Sequence, residues 1–286
     1  MSDTPRVVRA IDVDISAAGR VSQAIEDLYD DTLDVVVVRR AFDAASLRAA
    51  GERLDRRDVD PGWARPNRRM PAEDIELLGT DAPATPTYEE PRGYSLDTYL
   101  DSAARHREGV QSAFAIDFDP AVEVPRVLGL FAGGRPVETA RASDGRSYAP
   151  MTLRRLTDGK QIGPHHDYHF PLPLYRELAP QLDTQTLVSY VVTLRRPDAG
   201  GDLCVYAVTP QTPDAPKMPN GYSWDMQAVE ARFHSVRITP DVGDLFLLAS
   251  GRCLHRVDKI VGDTARVTLG GFLAFEAGRG RVVYWS

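Results

Sequence analysis

Thiols are scarce in this chain: its 286 residues include only Cys204 and Cys253. Neither belongs to a C-x-x-C pair, and both sit in apolar, strand-like runs. That argues against a disulfide framework and for buried thiols in a reducing cytoplasm. Long hydrophobic runs are missing too. No stretch approaches the roughly 20 apolar residues of a membrane-crossing helix. The opening Met1-Ser2-Asp3-Thr4-Pro5-Arg6 is polar, so neither an anchor nor a leader is expected. Positive charge is in the minority, with 34 Lys and Arg against 41 Asp and Glu and a net charge of −7. This balance disfavours nucleic-acid or membrane-surface binding, which would need a basic stripe. No repeat, low-complexity tract or linker divides the sequence. The expectation is one cytoplasmic domain over 1–286, monomer or homodimer. Its 43% hydrophobic and 26% charged residues suit a globular protein able to bury a substantial core.

What is present changes character near residue 146. Before it, Val7–Val13 reads as a short strand, and Val21, Ile25 and Leu28 recur at helical spacing. Val35–Val38 is a β-branched run bounded by charge, as in a buried strand. Asp43 has the character of an N-cap for a helix whose apolar face carries Leu47, Ala50 and Leu54. This opening is expected to pack as a supporting layer outside a β core. From Arg56 to Pro91 the pattern dissolves. The arginines there (Arg56, Arg57, Arg65, Arg68, Arg69) fit a solvated loop; the alternative is a flap meeting an anionic group of a substrate. Ser95–Phe114 is a helix with Leu96, Tyr99, Leu100 and Ala103 on one face behind a Ser cap. Pro120–Phe131 starts on a first-turn proline and stops at Gly133-Gly134, although Pro125 interrupts it.

After Arg141, short strand-like runs follow one another: Ser147–Leu156, Lys160–His165, Thr186–Leu194, Asp202–Val208, Phe233–Ile238, Asp244–Ala249, Leu254–Ile260, Ala265–Phe275 and Arg281–Trp285. Short strands divided by Gly and Pro turns predict an α+β, mainly β fold. Its core over 147–286 would be a double-stranded β-helix of the jelly-roll or cupin-like kind, with supporting N-terminal helices in 1–146. The proline-rich insertion at 210–232, carrying Tyr222 and Trp224, is long enough to serve as a lid.

The candidate chemistry lies in Gly163-Pro164-His165-His166-Asp167-Tyr168-His169-Phe170 and in Cys253-Leu254-His255-Arg256-Val257. Side chains alternate along a strand, so His165 and Asp167 share a face and His166 points away. With His255 from a second strand they supply two imidazoles and a carboxylate, a set that holds ferrous iron and leaves one face open. His169 continues that face and is a candidate for contact with substrate or metal-bound water. Phe170, Tyr222 and Trp224 are candidate apolar lining, or plain core. His106 and His234 read as structural. A helical zinc pair of His165 and His169 is opposed by Pro164 and the absence of helical patterning. Arg266 and Thr268 share a strand face within an apolar run, and a buried guanidinium there needs an anion. Either a protein carboxylate or the distal carboxylate of 2-oxoglutarate would serve.

Several further motifs give the sequence a family likeness. They are Tyr148-x-Pro150-x-Thr152-x-Arg154, Gly200-Gly201-Asp202-Leu203-x-Val205-Tyr206, Gly243-Asp244-Leu245, Val261-Gly262, Gly270-Gly271-Phe272-Leu273-Ala274-Phe275 and Tyr284-Trp285-Ser286. With the histidine motifs and Arg266, they resemble the iron and 2-oxoglutarate oxygenases acting on small molecules. Nearest are the freestanding welwitindolinone and hapalindole alkaloid halogenases and the related N-succinyl amino-acid hydroxylases. The resemblance implies Fe(II) held by His165, Asp167 and His255, with 2-oxoglutarate anchored by Arg266 and, more weakly, Thr268 and Arg154. It also implies O2 as oxidant, with succinate and CO2 released. In those halogenases the carboxylate position is glycine, vacating an iron site for chloride; Asp167 stands there in this chain, which implies hydroxylation of an unactivated C–H. Desaturation, epoxidation and cyclisation use the same centre. A metal-dependent isomerase or lyase on a cupin barrel would need the metal but not Arg266.

Overall fold

Four consecutive valines, Val35–Val38, leave neither face of a strand fit for water, and the fold buries all four. The structure, a computed structural model, describes residues 5–56, 76–78, 96–114, 118–167, 175–221 and 223–286, of which 76–78 by backbone alone. Its first half contains β1 (Ala10–Asp14), α1 (Ala24–Tyr29), β2 (Val35–Arg39), α2 (Ala44–Arg56), β3 (Glu76–Leu78), α3 (Leu96–Ala113), α4 (Pro120–Gly129) and β4 (Val137–Thr139). The second half contains β5 (Thr152–Leu156), β6 (Ile162–His165), β7 (Val188–Arg195), β8 (Leu203–Tyr206), α5 (Met226–Arg232) and β9 (Ser235–Ile238). It closes with β10 (Leu245–Leu248), β11 (Leu254–Val257), β12 (Arg266–Phe275) and β13 (Val282–Trp285).

The strands form two sheets. The larger runs β1-β2-β10-β7-β12-β13-β4, with β5 also paired to β12 and β3 to β5. The smaller runs β6-β11-β8-β9. This is the expected α+β, mainly β architecture, a jelly-roll core flanked by N-terminal helices. Every strand run read from 147–286 becomes a strand, trimmed or shifted by a few residues. The N-terminal segment differs from expectation. Rather than forming a layer outside the core, β1 and β2 extend the larger sheet, β2 lying between β1 and β10. A run apolar on both faces needs neighbours on both edges and both sides, and only a place inside a sheet supplies them.

Helix α2 follows its sequence signals closely. The Asp43 carboxylate accepts from the Ser46 N–H at 2.8 Å, and Leu47, Ala50 and Leu54 are buried. Helix α4 runs through Pro125; one lost N–H donor is offset by burial of Val124, Val127 and Leu128. The 56–91 loop and its proposed flap lie outside the described residues apart from Arg56 and the β3 backbone, as does the Ser95 cap. Elements too short to show a period, β3, β4 and α5, were not foreseen.

Gly51 sets how closely α2 approaches β7. A Cβ on Gly51 would lie 2.6 Å from the Leu194 carbonyl oxygen, an approach only glycine permits. Gly51→Val should therefore lower stability by about 1–3 kcal/mol, the usual cost of overpacking. Urea unfolding measures this, and an unchanged midpoint would show that α2 rides clear of the strand.

Candidate metal centre

On β11, Leu254 and Arg256 face one side of the smaller sheet and His255 the other. His255 is the register partner of His165 on β6, and the two rings lie 4.3 Å apart between centroids. Asp167 follows just beyond β6, its N–H bonded to the Ser250 carbonyl at 2.9 Å. His165 Nε2 lies 3.5 Å from Asp167 Oδ1 and His255 Nε2 lies 3.6 Å from Asp167 Oδ2. One donor atom from each residue falls within 4.8 Å of the others.

The opposite ring nitrogens orient these donors. His165 Nδ1 meets the Gly163 carbonyl at 2.7 Å and His255 Nδ1 meets the Cys253 carbonyl at 2.9 Å. A carbonyl only accepts, so each Nδ1 carries a proton, and Nε2 is the nitrogen each ring can offer a metal. Burial, and then the neighbouring His165, push the His255 imidazole down to about 3. It is neutral at working pH, as a metal ligand must be. Two imidazoles and a carboxylate, one donor atom from each drawn together, form the facial triad typical of non-haem Fe(II) oxygenases. His255 and Asp167 are buried and His165 is half-buried, so access is from the His165 side.

The larger sheet contributes positive charge. Arg266 is 4% exposed and makes no salt bridge to a described residue, and its Nε lacks a hydrogen-bond partner. Burial, then the charge of Arg154, bring its guanidinium down to about 10. Thr268 pairs in register with Arg154 on β5 and with Thr193 on β7. Arg266, Thr268 and Arg154 thus share one pleated face. Burial lowers Arg154 as well, opposed chiefly by the charge of Asp167. Among the described residues no carboxylate forms an ion pair with Arg266; the charge of Asp202 acts on it without contact.

Other expected site residues fall elsewhere. His169, Phe170 and Tyr222 lie outside the described residues. Trp224 is not brought to the triad. It packs on the opposite face of the smaller sheet, with Cys204, Tyr206, Val208 and Leu254. There its ring lies 5.6 Å from that of His166 and the Lys217 ammonium sits 3.6 Å above it. His166 has turned away from the triad, as the strand period required, and contacts the Val208 carbonyl at 3.1 Å. Helix α5, in the 210–232 insertion, buries Val229 in the same cluster.

Two features escaped the sequence reading. Tyr175 is buried, its hydroxyl raised by burial and by Asp167 and opposed by Arg154, which places it near both. Asp34 is fully buried behind the turn leading to His255. It accepts from Arg6 at 2.6 Å, from the Arg9 N–H at 2.9 Å, from Arg252 at 3.3 Å and from the Cys253 thiol at 3.4 Å. Its only sequence signal was an acid beside a run of valines.

Residues 7–286 match the family model described as the carrier-protein-independent halogenase WelO5. No curated protein matches the chain. Among solved structures it is similar to an N-substituted L-amino acid dioxygenase from Burkholderia ambifaria AMMD. The two share 15% identity over 93% of this chain and 91% of that one, with a TM-score of 0.53. The same dioxygenase in complex with alpha-KG gives a TM-score of 0.52 at 15% identity, over 92% of this chain and 90% of that one. At this identity the likeness is one of fold.

The ligand set carries a direct prediction. His255→Ala should weaken Fe(II) or Co(II) binding by more than the ~10–100-fold that loss of an outer hydrogen-bond partner costs. His166→Leu should leave metal affinity nearly unchanged. Calorimetric titration of both variants checks this, and equal losses would break the assignment of faces.

Proposed function

Since the chain belongs to the family of the carrier-protein-independent halogenase WelO5, we propose that it is an oxygenating rather than a halogenating member. In this reading it hydroxylates an unactivated C–H of a freestanding small molecule, with one catalytic unit spanning 1–286. The observation supporting this choice is Asp167, whose carboxylate occupies the third corner of the triad. A carboxylate there takes the position that a halide would need. Small-molecule oxygenase chemistry dependent on Fe(II) and 2-oxoglutarate is the family property; the choice among its outcomes rests on Asp167.

The protein's own part follows from the geometry. His165, Asp167 and His255 would hold the iron, with each imidazole fixed by its backbone carbonyl. Arg266 would take the distal carboxylate of 2-oxoglutarate through a paired hydrogen bond, with the Thr268 hydroxyl beside it. Arg154, on the same face, would add a second positive charge toward the co-substrate. Iron and 2-oxoglutarate, when bound, supply the oxidising chemistry, with O2 consumed and succinate and CO2 released. Burial of Arg266 and Thr268 keeps water from competing for that anion.

Anaerobic addition of 2-oxoglutarate to the iron-loaded protein should produce the visible charge-transfer band of a chelated keto acid. Arg266→Gln should raise the concentration needed for that band by ~30-fold or more, as expected for loss of a buried charged partner worth 2–5 kcal/mol. Asp167→Gly should abolish substrate hydroxylation. Full hydroxylation by that variant, or iron binding without any band, would overturn the reading.

A further inference from the structure

The turn between β10 and β11, residues 249–253, holds two of the three triad residues. Its Ser250 carbonyl accepts the Asp167 N–H at 2.9 Å, and its Cys253 carbonyl meets His255 Nδ1 at 2.9 Å. The turn also packs close on the backbone of Asp167: a Cβ on Gly251 would lie 3.1 Å from the Asp167 carbonyl oxygen. Where this turn sits therefore sets where an imidazole and a carboxylate point.

Asp34, the residue before β2, grips the same turn at both ends. Its carbonyl accepts the Ala249 N–H at 3.0 Å, at the start of the turn. Its carboxylate reaches the end of the turn, where Oδ1 accepts from Arg252 at 3.3 Å and from the Cys253 thiol at 3.4 Å. The carboxylate is held in turn by Arg6 at 2.6 Å and by the Arg9 N–H at 2.9 Å. Burial would raise its carboxyl, but hydrogen bonds from Arg9 and the charges of Arg6 and Arg9 outweigh that and hold it below the ordinary carboxylate range. It is thus a buried anion with charge-assisted bonds, which are stronger and more directional than neutral ones. Tying the N-terminal segment to the sheet would need only Arg6 and Arg9. The bonds to Arg252 and Cys253 go further, into the turn itself.

We propose that Asp34 is a positioning residue for the metal centre. By gripping the 249–253 turn at both ends, it fixes the Ser250 and Cys253 carbonyls, and through them Asp167 and His255. None of its described contacts is to a triad residue, so it acts only through the turn. The proposal rests on the Fe(II) reading of the triad and not on the choice of hydroxylation.

Co(II), whose visible absorption reports ligand geometry, is titrated into the natural full chain and into Asp34→Ala, Asp34→Asn and Gly51→Val. The last is the control for lost stability, since its overpacking falls between α2 and β7. Asp34→Ala should bind Co(II) about tenfold more weakly or worse, as loss of an outer partner does, and should shift the visible bands. Asp34→Asn, which keeps the shape and one acceptor oxygen, should fall between Asp34→Ala and the natural chain. Gly51→Val should keep the natural bands and affinity. Asp34 variants with natural bands and affinity, or the same shift in Gly51→Val, overturn the proposal. A natural chain that binds no Co(II) overturns the metal centre first and the proposal with it. If Asp34→Ala does not fold, Asp34→Asn decides. If neither folds, the S–H stretching band is read in Cys204→Ala, whose single thiol is Cys253. Coupling between two sites is mutual, so Co(II) loading should shift that band, and an unmoved band overturns the proposal.

Discussion

The pairing of β6 with β11 is the constraint on which the centre depends. His165 lies opposite His255 and Ile162 opposite Val257, with a bulge between those pairs. Gly163-Pro164 occupies the bulge. Proline cannot donate to a ladder, and β6 is an edge strand where that loss is tolerated. A bulge re-aims the side chain that follows it, and here the Gly163 carbonyl receives the proton of that same side chain at 2.7 Å. A one-residue slip would turn His165 to the outer face, where His166 packs on Trp224. The outer cluster therefore guards the register: the Val208 carbonyl and the Trp224 ring hold His166 outward, which keeps both neighbouring ligands inward.

The two sheets carry opposite charge toward each other. The smaller presents Asp167; the larger presents Arg266 and Arg154, which feel the charges of Asp202 and Asp167 respectively but form no ion pair with a described carboxylate. Burying an unpaired guanidinium is costly, and the lowering of Arg266 to about 10 expresses that cost while leaving the group charged at neutral pH. The same imbalance gives an incoming dianion a strong interaction that the free protein lacks. In the proposed reading, stability surrendered at Arg266 would reappear as affinity for 2-oxoglutarate, whereas a cupin isomerase would leave this charge unused.

Much of this was legible in the sequence because strand patterning is a local property. Alternation alone put His165 and Asp167 on one face and His166 on the other, and turn residues marked every strand of 147–286. The Asp43 cap and the Leu47, Ala50, Leu54 stripe likewise needed only helical period. The rest depended on partners distant in sequence. For Trp224 the sequence leaves lining and plain core both open, because an aromatic residue in a long insertion carries no sign of which sheet face it will cover; the structure packs it in a core cluster. Asp34 was passed over because its partners, Arg6, Arg9, Arg252 and Cys253, come from both ends of the chain. Val35–Val38 was recognised as a buried strand, but nothing local said that β10 would be its neighbour.

The position of Arg266 also has an explanation that needs no ion pair. Its strand, β12, is clasped by β7 on one edge and by β5 and β13 on the other. Gly270 and Gly271 make this closeness possible. A Cβ on Gly271 would sit 2.4 Å from the Trp285 carbonyl oxygen, and one on Gly270 would sit 2.6 Å from that of Tyr190. The stem of Arg266 is packed as well, since a Cβ on Gly201 would lie 3.1 Å from its Cδ. Backbone packing and a buried stem therefore aim the guanidinium. A protein carboxylate would have fixed it equally well, but would have consumed the charge that an anionic ligand requires.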